Sequence, residues 1–162
     1  MRRLLTELCL ATLGVISTLS FAQFTGGMVA QYNVPMETRD AVTLFADVYR
    51  PATDGKFPVL LQRTPYGKAT DAYVAQEAVA RGFMVVLQDV RGRFMSEGEW
   101  YPFKHEGTDG YDAVEWAAAL PSSNGKVGLI GGSYIGLSQL LTAIANPRGK
   151  SDRSANTGRV GC

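Results

Sequence analysis

The sequence has few cysteines and a single histidine. Its two cysteines, Cys9 and Cys162, lie near opposite ends of the 162 residues, and the histidine is His105. Cys9 falls in a segment that we expect to be removed, so the mature chain has no pair of cysteines for an intramolecular disulfide. We expect no metal ion and no cofactor.

The chain also lacks an excess of charge of either sign. It has 16 Lys and Arg against 15 Asp and Glu, a formal net charge of +1. This balance gives no reason to expect a nucleic acid or an acidic partner. The length and the hydrophobic share of 46% are typical of one globular domain that is large enough to bury a core.

No apolar run is long enough to cross a bilayer. Residues 8–19 are apolar, about a dozen residues where a membrane span needs roughly 20. Arg2 and Arg3 precede this run, and small residues in the segment 20–22 suit a cleavage site. We predict a secretory signal peptide over residues 1–22 and a periplasmic or secreted protein without a membrane anchor; an uncleaved N-terminal anchor is the alternative.

The first part of the mature chain predicts a sheet. Residues 23–33 show no clear period and are predicted to be an irregular lead-in, whereas residues 42–49 alternate between apolar and polar side chains. Alternation indicates a half-buried strand, here expected to be antiparallel. The apolar run 57–62 predicts a strand that is buried on both faces.

A βαβ unit follows. A helix that Asp71 can cap leads to a second apolar run at 83–88, and such a crossover makes the two strands parallel. Residues 89–110 form a long loop that starts at the carboxyl end of a strand, where open α/β sheets place ligands. Thr108 or Asp109 is then expected to cap a helix that runs to residue 120.

The most informative stretch is 126–147. Residues 127–130 are apolar, a glycine-rich turn carries Ser133, and a helical pattern follows until Pro147. Strand, sharp turn and helix with a serine at the tip predict a nucleophile elbow. In this interpretation the backbone N–H of Tyr134 donates to an oxyanion, and the hydroxyl of Tyr66, in the loop after an earlier strand, is a candidate second donor.

Other interpretations of this turn stay open. A dinucleotide fingerprint needs glycine where Ser133 stands, and a phosphate-binding loop needs lysine where Leu137 stands. A tight glycine turn that serves only packing is the third alternative. The second glycine, Gly136, also comes one residue later than the general elbow pattern G-x-S-x-G requires.

Three motifs together resemble one family. These are RTPYGK around Tyr66, QDVRGRFMSEG at 88–98, and SNGKVGLIGGSYIG at 123–136. They are similar to the Xaa-Pro dipeptidyl-peptidase-like serine hydrolases, the group with cocaine esterase, α-amino-acid ester hydrolases and cephalosporin acylases. The resemblance implies an α/β-hydrolase fold with a mostly parallel sheet, Ser133 as nucleophile, and an oxyanion hole from the Tyr134 N–H and the Tyr66 hydroxyl.

The resemblance also implies partners that these residues do not supply. Such enzymes place an Asp and then a His after the serine, whereas His105 precedes Ser133. We expect His105 to be a surface residue, Asp89 to order its loop through Arg91 or Arg93 or by accepting backbone hydrogen bonds, and Asp109 and Asp112 to cap a helix. Trp100 and Phe103 could line a pocket or pack on the sheet edge.

The expected protein is therefore the N-terminal part of a hydrolase domain, residues 23–147, cut after the elbow helix. A tail, residues 148–162, is expected to be disordered and outside the family pattern. The predicted function is hydrolysis of a small-molecule ester or amide through an acyl-enzyme, with little or no activity in this fragment. The alternative is a secreted α/β protein without catalytic activity that binds a ligand or partner.

Overall fold

The computed structural model describes residues 27–147. The predicted signal peptide, residues 1–22, and the predicted tail, residues 148–162, lie outside the described residues. Five strands and three α-helices form the described part: β1 (Met28–Glu37), β2 (Thr43–Pro51), β3 (Phe57–Thr64), α1 (Ala72–Val79), β4 (Met84–Asp89), α2 (Glu106–Ala119), β5 (Ser123–Leu129) and α3 (Ser133–Ile144). A short 3₁₀ helix, Lys68–Asp71, precedes α1.

The strands form one sheet in the order β1-β2-β4-β3-β5. The pairs β1–β2 and β2–β4 are antiparallel, whereas β4–β3 and β3–β5 are parallel. The expected α/β architecture and the parallel βαβ unit are thereby confirmed. Because β3, β4 and β5 run in the same direction, the loops that follow them meet at one edge of the sheet.

Helices cover the sheet on both faces. The larger core packs α2 against one face through small and branched side chains, which include Leu44, Ala46, Leu61, Val86, Ala113 and Ala117. A smaller core packs α1 against the other face, with Ala75, Ala78 and Val79 meeting Val85 and Leu87. Every residue of β4 is buried, as a continuous apolar run predicts.

The predicted irregular lead-in at 23–33 is wrong for its second half. Residues from Met28 onward form β1, which pairs with β2 through a register shift between Gln31 and Val34. This strand has exposed or half-exposed side chains along most of its length. It is extended because its backbone pairs with the edge of β2. Such backbone pairing does not require a period in the side chains, so the sequence pattern did not predict it.

The predicted start of α2 is also wrong. The helix begins at Glu106, so Thr108 and Asp109 lie inside its first turn and cap nothing. Asp109 is buried and pairs with Arg91, while Asp112 pairs with Arg39. Asp71 does stand at the N-cap position of α1, but it makes no capping hydrogen bond and accepts one from Gln62 instead.

Helix α3 exposes much of its apolar pattern. Leu140 and Ile144 are 47% and 79% exposed, whereas Ser138, Gln139 and Thr142 are buried. The side chains of α3 that pack against the rest of the protein are thus mostly polar. No helix in residues 27–147 is long and apolar enough to span a membrane.

Candidate active site

Ser133 lies at a sharp turn between β5 and α3. Its φ is 55°, in the left-handed region that side chains rarely adopt, and the residue is exposed. Gly131 has a φ of 131°, and a Cβ built there would lie 2.2 Å from Cγ2 of Ile135. The turn therefore needs glycine at 131, and it projects Ser133 from the carboxyl end of a parallel strand.

Tyr134 follows the serine and turns its ring inward. The ring stacks on Phe103 with centroids 4.2 Å apart and an interplanar angle of 24°. Its hydroxyl donates to Oε1 of Glu106 over 3.1 Å and accepts the backbone N–H of Phe103 over 3.2 Å. Burial is the main cause that raises the pKa of the Tyr134 phenol, and nearby Glu106 adds to it.

Glu106 was missed by the sequence reasoning. It is 4% exposed at the start of α2, and its Oε2 accepts a hydrogen bond from Nη1 of Arg63 over 2.6 Å. Arg63 also donates through Nε to Oε1 of Gln88 over 2.9 Å. The feature of the sequence that could have indicated this pair is Arg63, at the end of an apolar strand. A charge that is buried there needs a partner of opposite charge.

Tyr66 lies in the loop after β3, beside Tyr134. The two rings meet edge to face with centroids 6.3 Å apart, and Tyr66 remains 55% exposed. The backbone N–H of Tyr66 donates to Oγ1 of Thr64. The three residues predicted for catalysis, Ser133, Tyr66 and Tyr134, thus come together at the edge of the sheet where β3 and β5 end.

The last residue of β4 and the loop after it hold the Tyr66 loop at both sides. Asp89 is fully buried; its Oδ1 accepts the backbone N–H of Lys68 over 2.8 Å, and its Oδ2 lies 3.3 Å from Nζ of Lys68. Arg93 donates through Nε to the carbonyl of Pro65 over 3.0 Å. The expectation that Asp89 accepts backbone hydrogen bonds is confirmed, and the cation it pairs with is Lys68.

A third buried ion pair, of Arg91 with Asp109, ties the loop after β4 to α2. Arg91 donates to both carboxylate oxygens of Asp109 and to both of Asp40, in the turn between β1 and β2. The hydrogen bond from Arg91 is the largest cause that holds the pKa of Asp40 well below its usual range. Hydrogen bonds to Asp109 and then Asp40 raise the pKa of Arg91.

Trp100 and Phe103, the two aromatic residues expected to line a pocket or to pack on the sheet edge, lie in different environments. Phe103, 37% exposed, stacks on Tyr134, whereas Trp100, 38% exposed, lies against the guanidinium of Arg93, 4.8 Å from the ring centroid. His105 stands half-buried at the N-cap of α2 without a capping hydrogen bond from its side chain. In residues 27–147 no three His, Cys, Asp or Glu side chains are grouped to hold a metal ion.

One cavity of about 500 Å³ lies apart from these residues, beside α1. Its lining includes Leu60, Tyr73, Val74, Ala78 and Phe83, with Glu77 and Arg81. None of the residues predicted for catalysis lines it.

Comparison with known protein sequences finds relatives that are named as esterases. The chain is 40% identical over 123 residues to cocaine esterase from Rhodococcus sp. (strain MB1 Bresler), a match that covers 72% of this chain and 21% of that enzyme. It is 32% identical over 133 residues to a putative serine esterase of Mycobacterium bovis, of which it also covers 21%. The chain therefore spans about a fifth of the length of these relatives.

Solved structures agree with the sequence matches. A CocE/NonD family hydrolase from Staphylococcus aureus superposes with a TM-score of 0.68 at 31% identity, over 74% of this chain and 26% of that one. An α-amino acid ester hydrolase superposes with a TM-score of 0.63 at 28% identity, over 86% of this chain and 27% of that one. The expected α/β-hydrolase fold is confirmed.

The family model of X-Pro dipeptidyl-peptidase, family S15, matches residues 40–151. This range contains all three motifs on which the resemblance rested, and it covers the sheet from β2 to β5 with its helices. The chain belongs to the X-Pro dipeptidyl-peptidase family S15, a family of hydrolases.

Proposed function

We propose that Ser133 is the nucleophile of a serine hydrolase that cleaves ester or amide bonds of small molecules. The observation that supports this best is the backbone of Ser133, which is exposed with a φ of 55° between a parallel strand and a helix. A strained turn of this kind persists only where the surrounding structure enforces it, and it presents the hydroxyl to an approaching substrate.

In the proposed reaction, Oγ of Ser133 attacks the substrate carbonyl and loses its proton to a base. The carbonyl oxygen becomes an oxyanion, which accepts hydrogen bonds from the backbone N–H of Tyr134 and the hydroxyl of Tyr66. The alcohol or amine then leaves with a proton, and the acyl group stays on Ser133. Water then attacks the acyl-enzyme. Its hydroxide joins the acyl carbon, so that the acid is released, and its proton returns to Oγ of Ser133.

The base is not assigned within these residues. His105 precedes Ser133 in the chain and stands at the start of α2, whereas the family order places Asp and His after the serine. We propose that the 162 residues alone hydrolyse substrate very slowly or not at all, because a serine hydroxyl without a base is a weak nucleophile at neutral pH.

The relatives favour an ester as the substrate. By their names, these matched proteins are a cocaine esterase, a putative serine esterase and an α-amino acid ester hydrolase. Because this chain covers about a fifth of their length, the acyl and leaving groups are not carried over. The proposal extends only to the chemical class, a small-molecule ester in preference to an amide.

Labelling with a fluorophosphonate tests the proposal without needing turnover. We expect slow labelling of the purified chain at Ser133 and none in Ser133→Ala. Tyr66→Phe removes one oxyanion donor and should slow labelling by roughly 10²-fold. Tyr73→Phe is the matched control, since Tyr73 is 66% exposed on α1, and it should label at the rate of the unchanged protein. Labelling elsewhere, or unaltered labelling of Ser133→Ala, would refute the proposal and favour a protein that only binds.

We also propose that residues 1–22 direct export and are removed. The support is the basic start, the apolar run and the small residues before Gln23. Expression of the whole chain in a bacterium should yield a periplasmic protein that starts at Gln23 by N-terminal sequencing. Recovery of protein that starts at Met1 from the membrane fraction would instead support the uncleaved anchor.

A further inference from the structure

The hydroxyl of Tyr134 is fully engaged inside the protein. It donates to Oε1 of Glu106 over 3.1 Å and accepts the backbone N–H of Phe103 over 3.2 Å, while its ring stacks on Phe103. A phenol has one proton to donate, so this proton is not available to a substrate. The neighbouring Tyr66 differs, because it is 55% exposed.

Glu106 is itself held rigidly. Its Oε2 accepts from Nη1 of Arg63 over 2.6 Å, and its backbone carbonyl accepts from the same nitrogen over 3.2 Å. The hydroxyl of Thr142, on α3, lies 3.4 Å from that carbonyl. Arg63 is 3% exposed at the end of β3 and is also fixed by Gln88 of β4. Glu106 is thus held at its carboxylate by Arg63 and Tyr134, and at its backbone carbonyl by Arg63 and Thr142.

We infer that Glu106 is a positioning residue that fixes the side chain of Tyr134 and thereby aims the backbone N–H that follows Ser133. This inference rests on the proposed function, in which that N–H donates to the oxyanion. The ring and the N–H of Tyr134 belong to one residue, so holding the ring at its hydroxyl and at its face restricts rotation about the backbone of the turn. An oxyanion donor is useful only when it is aimed before the charge develops.

The charges of the network suit this role. Arg63 neutralises the carboxylate of Glu106 at 2.6 Å, so that little net negative charge faces a developing oxyanion. The phenol of Tyr134 keeps its proton at neutral pH, since burial and Glu106 both raise its pKa. The hydrogen bond that holds the ring therefore persists across the pH range in which serine hydrolases work.

The two variants that test the inference are Glu106→Gln and Tyr134→Phe. Glu106→Gln removes the charge that the Tyr134 hydroxyl faces but also leaves Arg63 buried without its carboxylate, so it can impair folding. Tyr134→Phe removes only the hydroxyl and keeps the pair of Arg63 and Glu106. Glu77→Gln is the matched control, because Glu77 on α1 is exposed and pairs with Arg81, just after that helix.

The readout is the order of the turn, measured by {¹H}–¹⁵N heteronuclear NOE on the ¹⁵N-labelled chain. Every sample also carries Leu140→Gln and Ile144→Gln, which replace two exposed apolar side chains of α3 and so disfavour self-association. We expect the NOE of residues 132–134 to fall clearly in Tyr134→Phe, and in Glu106→Gln where it folds, with the values of β3 and β4 unchanged. Tyrosine labelled with ¹³C at Cζ should also show the Tyr134 phenol titrating at lower pH in Glu106→Gln. Glu77→Gln should change neither measurement.

Unchanged NOE values at the turn in Tyr134→Phe would overturn the inference.

Fluorophosphonate labelling of the same samples tests the proposed function separately from the positioning role. In Tyr134→Phe, and in Glu106→Gln where it folds, we expect labelling at Ser133 to slow by about tenfold together with the loss of order, because the oxyanion donor is misplaced. If the order falls and labelling keeps its rate, Glu106 orders the turn without aiming a donor, and the inference is also wrong. If the unchanged chain does not label, the prediction of slow labelling fails, and the NOE alone decides the positioning role.

Discussion

At the scale of single residues, the turn around Ser133 combines strain and close contact. A left-handed backbone costs a residue with a side chain about 1–2 kcal/mol, and Ser133 adopts one with a φ of 55°. Gly131 makes this possible, because its backbone packs against Ile135 where no Cβ fits. Gly132, between them, is extended and has open space around its Cα.

The adjacent glycines give a matched pair of variants. Gly131→Ala should lower the free energy of unfolding by about 2 kcal/mol or more, since it adds both a strained φ and a clash with Ile135. Gly132→Ala should change it by less than about 0.5 kcal/mol. Urea unfolding followed by circular dichroism measures both. Equal losses in the two variants would show that the turn does not adopt this geometry.

At the scale of elements, α2 and α3 touch through a glycine. A Cβ at Gly110 would lie 1.9 Å from Oγ1 of Thr142, so the two helices approach more closely than a methyl group allows. This contact matters for the site because α2 carries Glu106 and α3 carries Ser133 and Tyr134. The close approach keeps the network of Glu106 and Tyr134 within hydrogen-bond distance.

Gly110→Ala should therefore destabilise the protein by about 1–3 kcal/mol, the usual cost of overpacking. Gly128→Ala is the control, because a Cβ there meets its nearest neighbour, Cδ2 of Leu60, at 3.4 Å. We expect that variant to unfold within about 0.5 kcal/mol of the unchanged protein. A stable Gly110→Ala with native spectra would contradict the packing of α2 on α3.

The ion pair of Arg91 with Asp40 links the turn after β1 to the loop after β4. The pKa of Asp40 is lowered in the folded protein, so its contribution to stability is present above the carboxyl pKa of the unfolded chain and is lost as pH falls through the folded pKa. Asp40→Asn should be less stable than the unchanged protein at pH 7. The difference should shrink once the pH falls below about 4.

Urea midpoints of both proteins between pH 7 and pH 3 measure this difference. Asp54→Asn is a suitable control, since Asp54 is exposed in the turn after β2 and its replacement should leave the midpoint unchanged. A difference for Asp40→Asn that stays constant, or grows as the pH falls, would mean that the carboxylate does not stabilise the fold through Arg91.

At the scale of the whole molecule, the described residues leave apolar surface uncovered. In residues 27–147, β5 pairs with β3 alone and leaves its other edge open. Helix α3 exposes Leu137, Leu140 and Ile144, by 42%, 47% and 79%. An open strand edge beside exposed leucine and isoleucine favours self-association, so we expect the purified chain to aggregate rather than melt as a monomer.

Leu140→Gln with Ile144→Gln should reduce that association. Both side chains point away from the core, so the change removes apolar surface and leaves the unfolding free energy within about 0.5 kcal/mol. Analytical ultracentrifugation measures the size distribution. Thr142→Gln, at a buried position of the same helix, should instead destabilise the protein. A chain that is already monomeric and melts cooperatively without the change would contradict this prediction.

The sequence by itself determined the family and the order of the elements from β2 to α3, but not β1. Apolar runs located β3 and β4, and alternation located β2, because burial on one or both faces leaves a period in the sequence. The motifs around Tyr66 and Ser133 identified the family, since each needs particular residues in a short stretch of chain. The same local chemistry predicted the turn at Ser133 between strand and helix.

Only the tertiary structure decided which residues meet across those motifs. Asp109 and Asp112 were predicted to cap a helix and instead pair with Arg91 and Arg39, and Glu106 was not predicted at all. A cap is a local contact, whereas an ion pair of residues far apart in the chain depends on how the loops after β3 and β4 fold beside α2. That proximity follows from the strand order, which no local pattern of side chains contains.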